Sequence, residues 1–164
     1  MAADQPSTVL YLVRHSKAEE HHPKGDRYRT LSSEGKWRIE TMIPMAGLKE
    51  FRADLFLSSP YPRAVETRDQ FATTQRHPRL ETSAVLTPSG NPEEALAELE
   101  TWVETGYSRI AVFTHNPFVT AFAEFLLVPG SLPDLVFHAP SILALGFDHG
   151  LQRREGRPLW VLHP

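Results

Sequence analysis

Thr8-Val-Leu-Tyr-Leu-Val13 is an unbroken apolar, β-rich run that stops abruptly at Arg14-His15-Ser16. An apolar run without alternation suits a strand covered on both faces, the kind found inside a parallel sheet. Two later runs repeat the pattern. Ala53–Leu57 (ADLFL) gives way to Ser58-Ser59-Pro60, and Ile110–Phe113 to Thr114-His115-Asn116-Pro117. Leu80–Leu86 reads as a weaker strand of the same set.

Helix signals lie between these strands. Ser32 or Ser33 is placed to N-cap a helix to about Met45, with Trp37, Ile39 or Met42, and Ile43 as its apolar face. Pro44 is expected to kink or shorten it. Ser59-Pro60, as N-cap and first helical residue, opens a second helix to about Gln75. Asn91-Pro92 opens a third, to about Thr105, and Gly106 stops it. Asn116-Pro117 opens a fourth, to about Val128. Ser141–Phe147 and Pro158–Leu162 close the chain as a hairpin. The order βαβαβαβαββ predicts an α/β fold, a three-layer α/β/α sandwich with a mostly parallel central sheet, and residues 1–164 read as a single domain.

Composition narrows the function. The 164 residues are 41% hydrophobic and 23% charged, ordinary globular usage that excludes a disordered chain or a coiled coil. A net charge of −3 is too balanced for electrostatic nucleic-acid binding. With no cysteine there is no disulfide scaffold, thiolate metal site or cysteine nucleophile. No apolar run is long enough to span a membrane, and the polar start carries no basic leader. A cytoplasmic protein without a membrane or nucleic-acid partner is expected; the oligomeric state is left open.

In open α/β sheets ligands bind beyond the carboxyl ends of the strands. Arg14 and His15 follow the first strand, Ser58 and Ser59 the second, and Thr114, His115 and Asn116 the fourth. Arg63 falls in the first turn of the second helix, where its side chain leans back toward the same edge. Two guanidiniums, two imidazoles and nearby helix N-termini suit a compact polyanion such as phosphate. One imidazole can then act as nucleophile and the other as donor. No carboxylate stands at a strand end, which argues against magnesium; no metal and no cofactor are expected.

These residues carry a resemblance. Leu10-Tyr-Leu-Val-Arg-His-Ser16 resembles the R-H-G signature of the histidine phosphatase superfamily, whose fold is phosphoglycerate mutase-like. Ser59-Pro-Tyr-Pro-Arg-Ala-Val-Glu-Thr67 resembles its S-P-x-x-R-A-x-x-T motif, and Phe113-Thr-His115 its second histidine strand end. The short chain, Asp26-x-x-Arg29-x-Leu31-x-x-x-Gly35, and Leu86-Thr-Pro-x-Gly90 look like the SixA-type phosphohistidine phosphatases. The resemblance implies that His15 attacks phosphorus and carries the phosphoryl group. Arg14, Arg63 and His115 would hold the phosphoryl oxygens, and water would hydrolyse the intermediate.

Two departures stand out. Ser16 replaces the usual glycine after the histidine. Ester-cleaving members carry a carboxylate acid where this chain has Thr87-Pro88 or Asn116, which agrees with a phosphohistidine-bearing protein as substrate; Glu19, Glu20 or Asp26 remain candidate acids. A small phosphate ester is the alternative substrate, and a non-catalytic phosphoprotein-binding module the alternative of another class. Taken singly, each residue also has a structural reading. Arg63 pairs with Glu66, Asp26 and Arg29 tie down their loop, His21-His22 are solvated, and Trp37, Trp102 and Trp160 are core or half-buried anchors.

Overall fold

A computed structural model describes residues 4–164. Its strands are β1 (Thr8–Arg14), β2 (Leu55–Ser58), β3 (Arg79–Thr82), β4 (Arg109–Thr114), β5 (Ser141–Phe147) and β6 (Arg157–Leu162). The helices are α1 (Ser33–Leu48), α2 (Pro62–Ala72), α3 (Pro92–Glu104) and α4 (Phe118–Leu126). One sheet holds all six strands in the order β3-β2-β4-β1-β5-β6. β1 to β4 are mutually parallel where they pair, and β5 runs antiparallel to both β1 and β6.

Alternation along the buried strands builds two cores. Leu10, Leu12, Leu57 and Val112 face one side, packed with residues of α3 and α4 such as Leu99 and Phe122. Val9, Tyr11, Val13, Phe56 and Phe113 face the other, against Ile39, Met42 and Phe71 of α1 and α2. These are the three expected layers. The closing hairpin is present too, with an irregularity at Ala144/Leu145.

Local readings need correction at five points. α1 runs past Pro44 to Leu48: the proline is exposed, as is Glu40, the residue whose carbonyl it deprives of a donor. Trp37 is 60% exposed rather than an anchor: the buried stripe of α1 is Gly35, Ile39, Met42 and Ala46, and Trp37 points away from it. β3 stops at Thr82, and Ala84–Leu86 is a 3-10 turn capped by Ser83. α2 begins at Pro62 with Tyr61 before it, so Ser59 is not its N-cap. Asn116 does not cap α4 either; its side-chain Oδ1 accepts from Thr120 Oγ1 at 2.7 Å.

The start of α1 is pressed onto the loop after β1. Ser32 Oγ accepts from the Gly35 amide at 3.0 Å and donates to the Lys17 carbonyl at 3.1 Å. A Cβ at Gly35 would run into that same backbone carbonyl. Backbone cannot yield as a flexible side chain does, so Gly35→Ala is expected to destabilise the fold by about 1–3 kcal/mol. Denaturant unfolding would show it as a lower midpoint with an unchanged slope.

Candidate active site

The sheet order places three strand ends side by side. β2, β4 and β1 are neighbours, and their continuations are Ser59, His115 and His15. Backbone bonds carry the register one residue past the strands: His15 N donates to Thr114 O, and Ser59 N to Phe113 O, each at 2.9 Å. The His15 and His115 rings meet edge to face with centroids 5.0 Å apart.

His15 is 9% exposed and its ring orientation is fixed. Nδ1 lies 2.6 Å from the Ser16 carbonyl oxygen. A carbonyl can only accept, so Nδ1 carries the proton and Nε2 keeps its lone pair. Ser16 is itself held on both sides. Its amide donates to Thr67 Oγ1 at 3.1 Å, and its hydroxyl to the Gly35 carbonyl at 2.7 Å. The serine that stands in place of glycine thus ties the loop to α1.

Arg63 is the second residue of α2, not the fourth of a longer helix as the sequence suggests. It is 4% exposed and its guanidinium does reach the strand edge. Nε donates to His15 Nε2 at 3.2 Å, Nη1 to the Asp26 carbonyl at 2.8 Å, and Nη2 to Asp26 Oδ2 at 3.1 Å. The carboxylate paired with Arg63 is therefore Asp26 and not Glu66. Glu66 instead accepts the Leu31 amide at 2.6 Å, pinning the far end of the 16–31 loop. Arg14 donates from Nη1 to the Phe137 carbonyl at 2.7 Å, and its buried Nε has no partner among the described residues.

His115 is 1% exposed. Its Nε2 lies 2.8 Å from Ser59 Oγ, and its buried Nδ1 has no partner among the described residues. Tyr61 packs edge-on against this ring at 5.0 Å and lies beneath the Arg63 guanidinium. Ser59 and Thr67 were legible as motif letters but not as contacts, and Tyr61 stands at a free position of the motif. Nothing in the sequence marks the Phe137 carbonyl.

The candidate acids separate. Asp26, on a 3-10 turn over Asp26–Tyr28, sits at the site and is tied to Arg29 Nε at 2.8 Å. Burial pushes its carboxyl up, but the Arg29 hydrogen bond and the Arg63 charge prevail and hold it below the usual carboxylate range. It is an anion at neutral pH. Glu19 and Glu20 are exposed and line a different groove, with Lys17, His21 and Glu34.

Burial drives the His15 pKa down to about 4, with Arg63 and Arg14 adding to the effect against the Ser16 hydrogen bond. Burial likewise takes His115 down to about 3, reinforced by His15 and Arg63. Both rings are neutral at pH 7. The cluster can thus offer fixed positive charge from two arginines beside an uncharged, oriented imidazole lone pair.

The parallel strand order, the helices on both faces and the antiparallel closing hairpin are those of the phosphoglycerate mutase-like fold. Among solved structures, the chain is similar to the protein histidine phosphatase SixA complexed with tungstate, with a TM-score of 0.84 and 23% identity over 96% of this chain and 97% of that one. It is similar to a structure from Agrobacterium tumefaciens assigned to SixA, with a TM-score of 0.79 and 23% identity over 96% and 98% of the two chains. Phosphoglycerate mutase from Bacillus anthracis str. Sterne follows with a TM-score of 0.66 and 18% identity over 90% and 91%. No family model and no curated protein matches the chain.

Two outcomes test this geometry. In an imidazole NMR titration neither His15 nor His115 should titrate near 6.5; both should stay neutral down to about pH 4. Between 6.5 and 4 the unfolded chain binds more protons at these positions than the folded one. Folding stability should therefore fall as pH is lowered through that window. A second test is direct: Arg63→Ala should weaken oxyanion binding by about a hundredfold, and Arg63→Lys by less, since lysine keeps the charge and loses the fork. Isothermal titration with tungstate reads both.

Proposed function

We propose that this chain is a metal-independent cytoplasmic phosphatase that removes phosphate from phosphohistidine on a protein, with His15 as nucleophile and Arg14, Arg63 and His115 as phosphoryl ligands. The observation that carries the reading is the His15 ring. Its proton is held on Nδ1 by the Ser16 carbonyl, so Nε2 turns its lone pair toward the site, where Arg63 Nε donates to it at 3.2 Å. A binding module would need the arginines but not an imidazole oriented in this way. The similar SixA structure holds tungstate, a tetrahedral oxyanion, in keeping with a phosphoryl site here.

In the first step His15 Nε2 bonds to phosphorus while the bond from phosphorus to the substrate imidazole breaks. The electron pair leaves with that imidazole, which is protonated from solvent. Water then attacks phosphorus, the bond to His15 breaks, and phosphate departs. Arg14 and Arg63 offset the charge that builds on the phosphoryl oxygens.

The substrate class follows from the acids. An imidazole leaves at neutral pH with little help, because its conjugate acid has a pKa of about 6.5. An alkoxide needs a proton donor. Asn116 has its amide engaged by Thr120 and Phe137, and Thr87 Oγ1 is bonded to Ala84 O at 3.1 Å. Asp26 is held ionised by its arginines.

The test compares kcat/KM on a phosphohistidine peptide, an aryl phosphate and a phosphoserine peptide. Phosphohistidine should be fastest, the aryl ester slow and phosphoserine barely cleaved. His15→Ala should retain less than about a hundredth of the turnover. Comparable rates on phosphoserine and phosphohistidine would overturn the substrate assignment and make Asp26 the residue to mutate. Oxyanion binding without turnover would overturn the enzyme reading.

A further inference from the structure

Ser59 was expected to cap a helix, and it does not. Its side chain is fully buried against His115, and it has two polar contacts among the described residues. The Tyr61 amide donates to Oγ at 3.3 Å, and His115 Nε2 lies 2.8 Å from Oγ. We infer that Ser59 is a positioning residue: its hydroxyl donates to His115 Nε2 and thereby fixes the neutral ring as the Nδ1–H tautomer, making Nδ1 the donor offered to the phosphoryl group.

Proton accounting carries this assignment. A serine hydroxyl has one proton and accepts through its lone pairs. Tyr61 already fills an acceptor role, so the hydroxyl proton needs an acceptor of its own. Among the described residues His115 Nε2 is the one acceptor within reach. If Nε2 accepts, a neutral ring must carry its proton on Nδ1, and the low pKa of His115 keeps the ring neutral in the free protein.

The opposite tautomer fails twice. Nε2–H would donate to an oxygen that already accepts from Tyr61, leaving the buried hydroxyl proton with no acceptor. It would also leave a bare lone pair on Nδ1, the buried nitrogen without a protein partner. A lone pair repels an approaching phosphoryl oxygen, whereas an N–H binds it. The favoured tautomer leaves one unmet group, and that group is a donor in the ring that packs against His15.

Placement supports the pairing. Ser59 directly follows β2 and His115 directly follows β4, and the two strands are neighbours. The Ser59 amide is bonded to the Phe113 carbonyl at 2.9 Å, so the hydroxyl is aimed by backbone on both sides.

The inference rests on the phosphoryl-site reading, but its main test needs no turnover. Long-range proton–nitrogen spectra of wild-type protein should show His115 protonated at Nδ1 and bare at Nε2. Ser59→Ala should lose that single tautomer while His15, held by the Ser16 carbonyl, keeps its own. Tungstate affinity should fall at least about tenfold, and kcat by about a hundredfold with KM moving less, as when a single oriented donor is lost. Ser59→Thr, which keeps the hydroxyl, should restore the tautomer. A wild-type His115 protonated at Nε2 would overturn the inference. So would a folded Ser59→Ala with wild-type tautomer and tungstate affinity. If Ser59→Ala does not fold, the wild-type spectrum alone decides. Failure to hydrolyse phosphohistidine would sink the proposed function and leave the tautomer result standing.

Discussion

The hydrogen bond from His15 Nδ1 to the Ser16 carbonyl is the contact that the rest of the site is built to hold. It is only one residue long in sequence and would be worth little in a loose loop. Here the loop is clamped from two helices at once. Thr67 of α2 takes the Ser16 amide, Gly35 of α1 takes its hydroxyl, and Ser32 takes the next carbonyl. The close approach that this requires is why position 35 admits no side chain. The geometry of the His15 ring is thus fixed by the secondary structure flanking the loop, on rigid elements rather than on the loop itself.

Charge and burial work together in this cluster. Arg14 and Arg63 supply the attraction for an oxyanion, and burial keeps competing water away. The same burial and the same arginines hold both imidazoles neutral. A pocket of this charge therefore keeps the proposed nucleophile, His15, unprotonated without a separate base. The one carboxylate on Arg63 is exposed and shared with Arg29, so it offsets the excess positive charge at the rim. A fully buried carboxylate in its place would compete more strongly for the guanidinium fork.

Sequence legibility followed the range of the interaction. Buried strands announced themselves through apolar runs, and the residues at their ends followed from topology. For that reason Arg14, His15, Arg63 and His115 could be named from the sequence and are found together. Readings that depended on one local rule fared worse. Ser59-Pro60 and Asn116-Pro117 carry the letters of a cap and a first turn, yet other partners claimed both polar side chains: His115 across the sheet for Ser59, and Thr120, four residues on, for Asn116. Pro44 was tolerated on an exposed face of α1, a matter of helix orientation that no local pattern encodes. Asp26 was visible as a candidate carboxylate, but its ionisation depends on Arg29 and Arg63, the latter far along the chain.

The two histidines show how little separates the proposed nucleophile from the proposed donor. They are the same residue type at equivalent ends of adjacent parallel strands, both buried and both neutral. What differs is the partner on one nitrogen. A carbonyl beside His15 Nδ1 accepts and forces the proton there, exposing a lone pair at Nε2. A hydroxyl beside His115 occupies Nε2 instead and leaves Nδ1 without a protein partner. The carbonyl comes from the chain's next residue, and the hydroxyl from the neighbouring strand. The parallel order β2-β4-β1 therefore does more than gather the side chains at one edge. It supplies the His115 ring with the hydroxyl that decides which of its nitrogens faces the site.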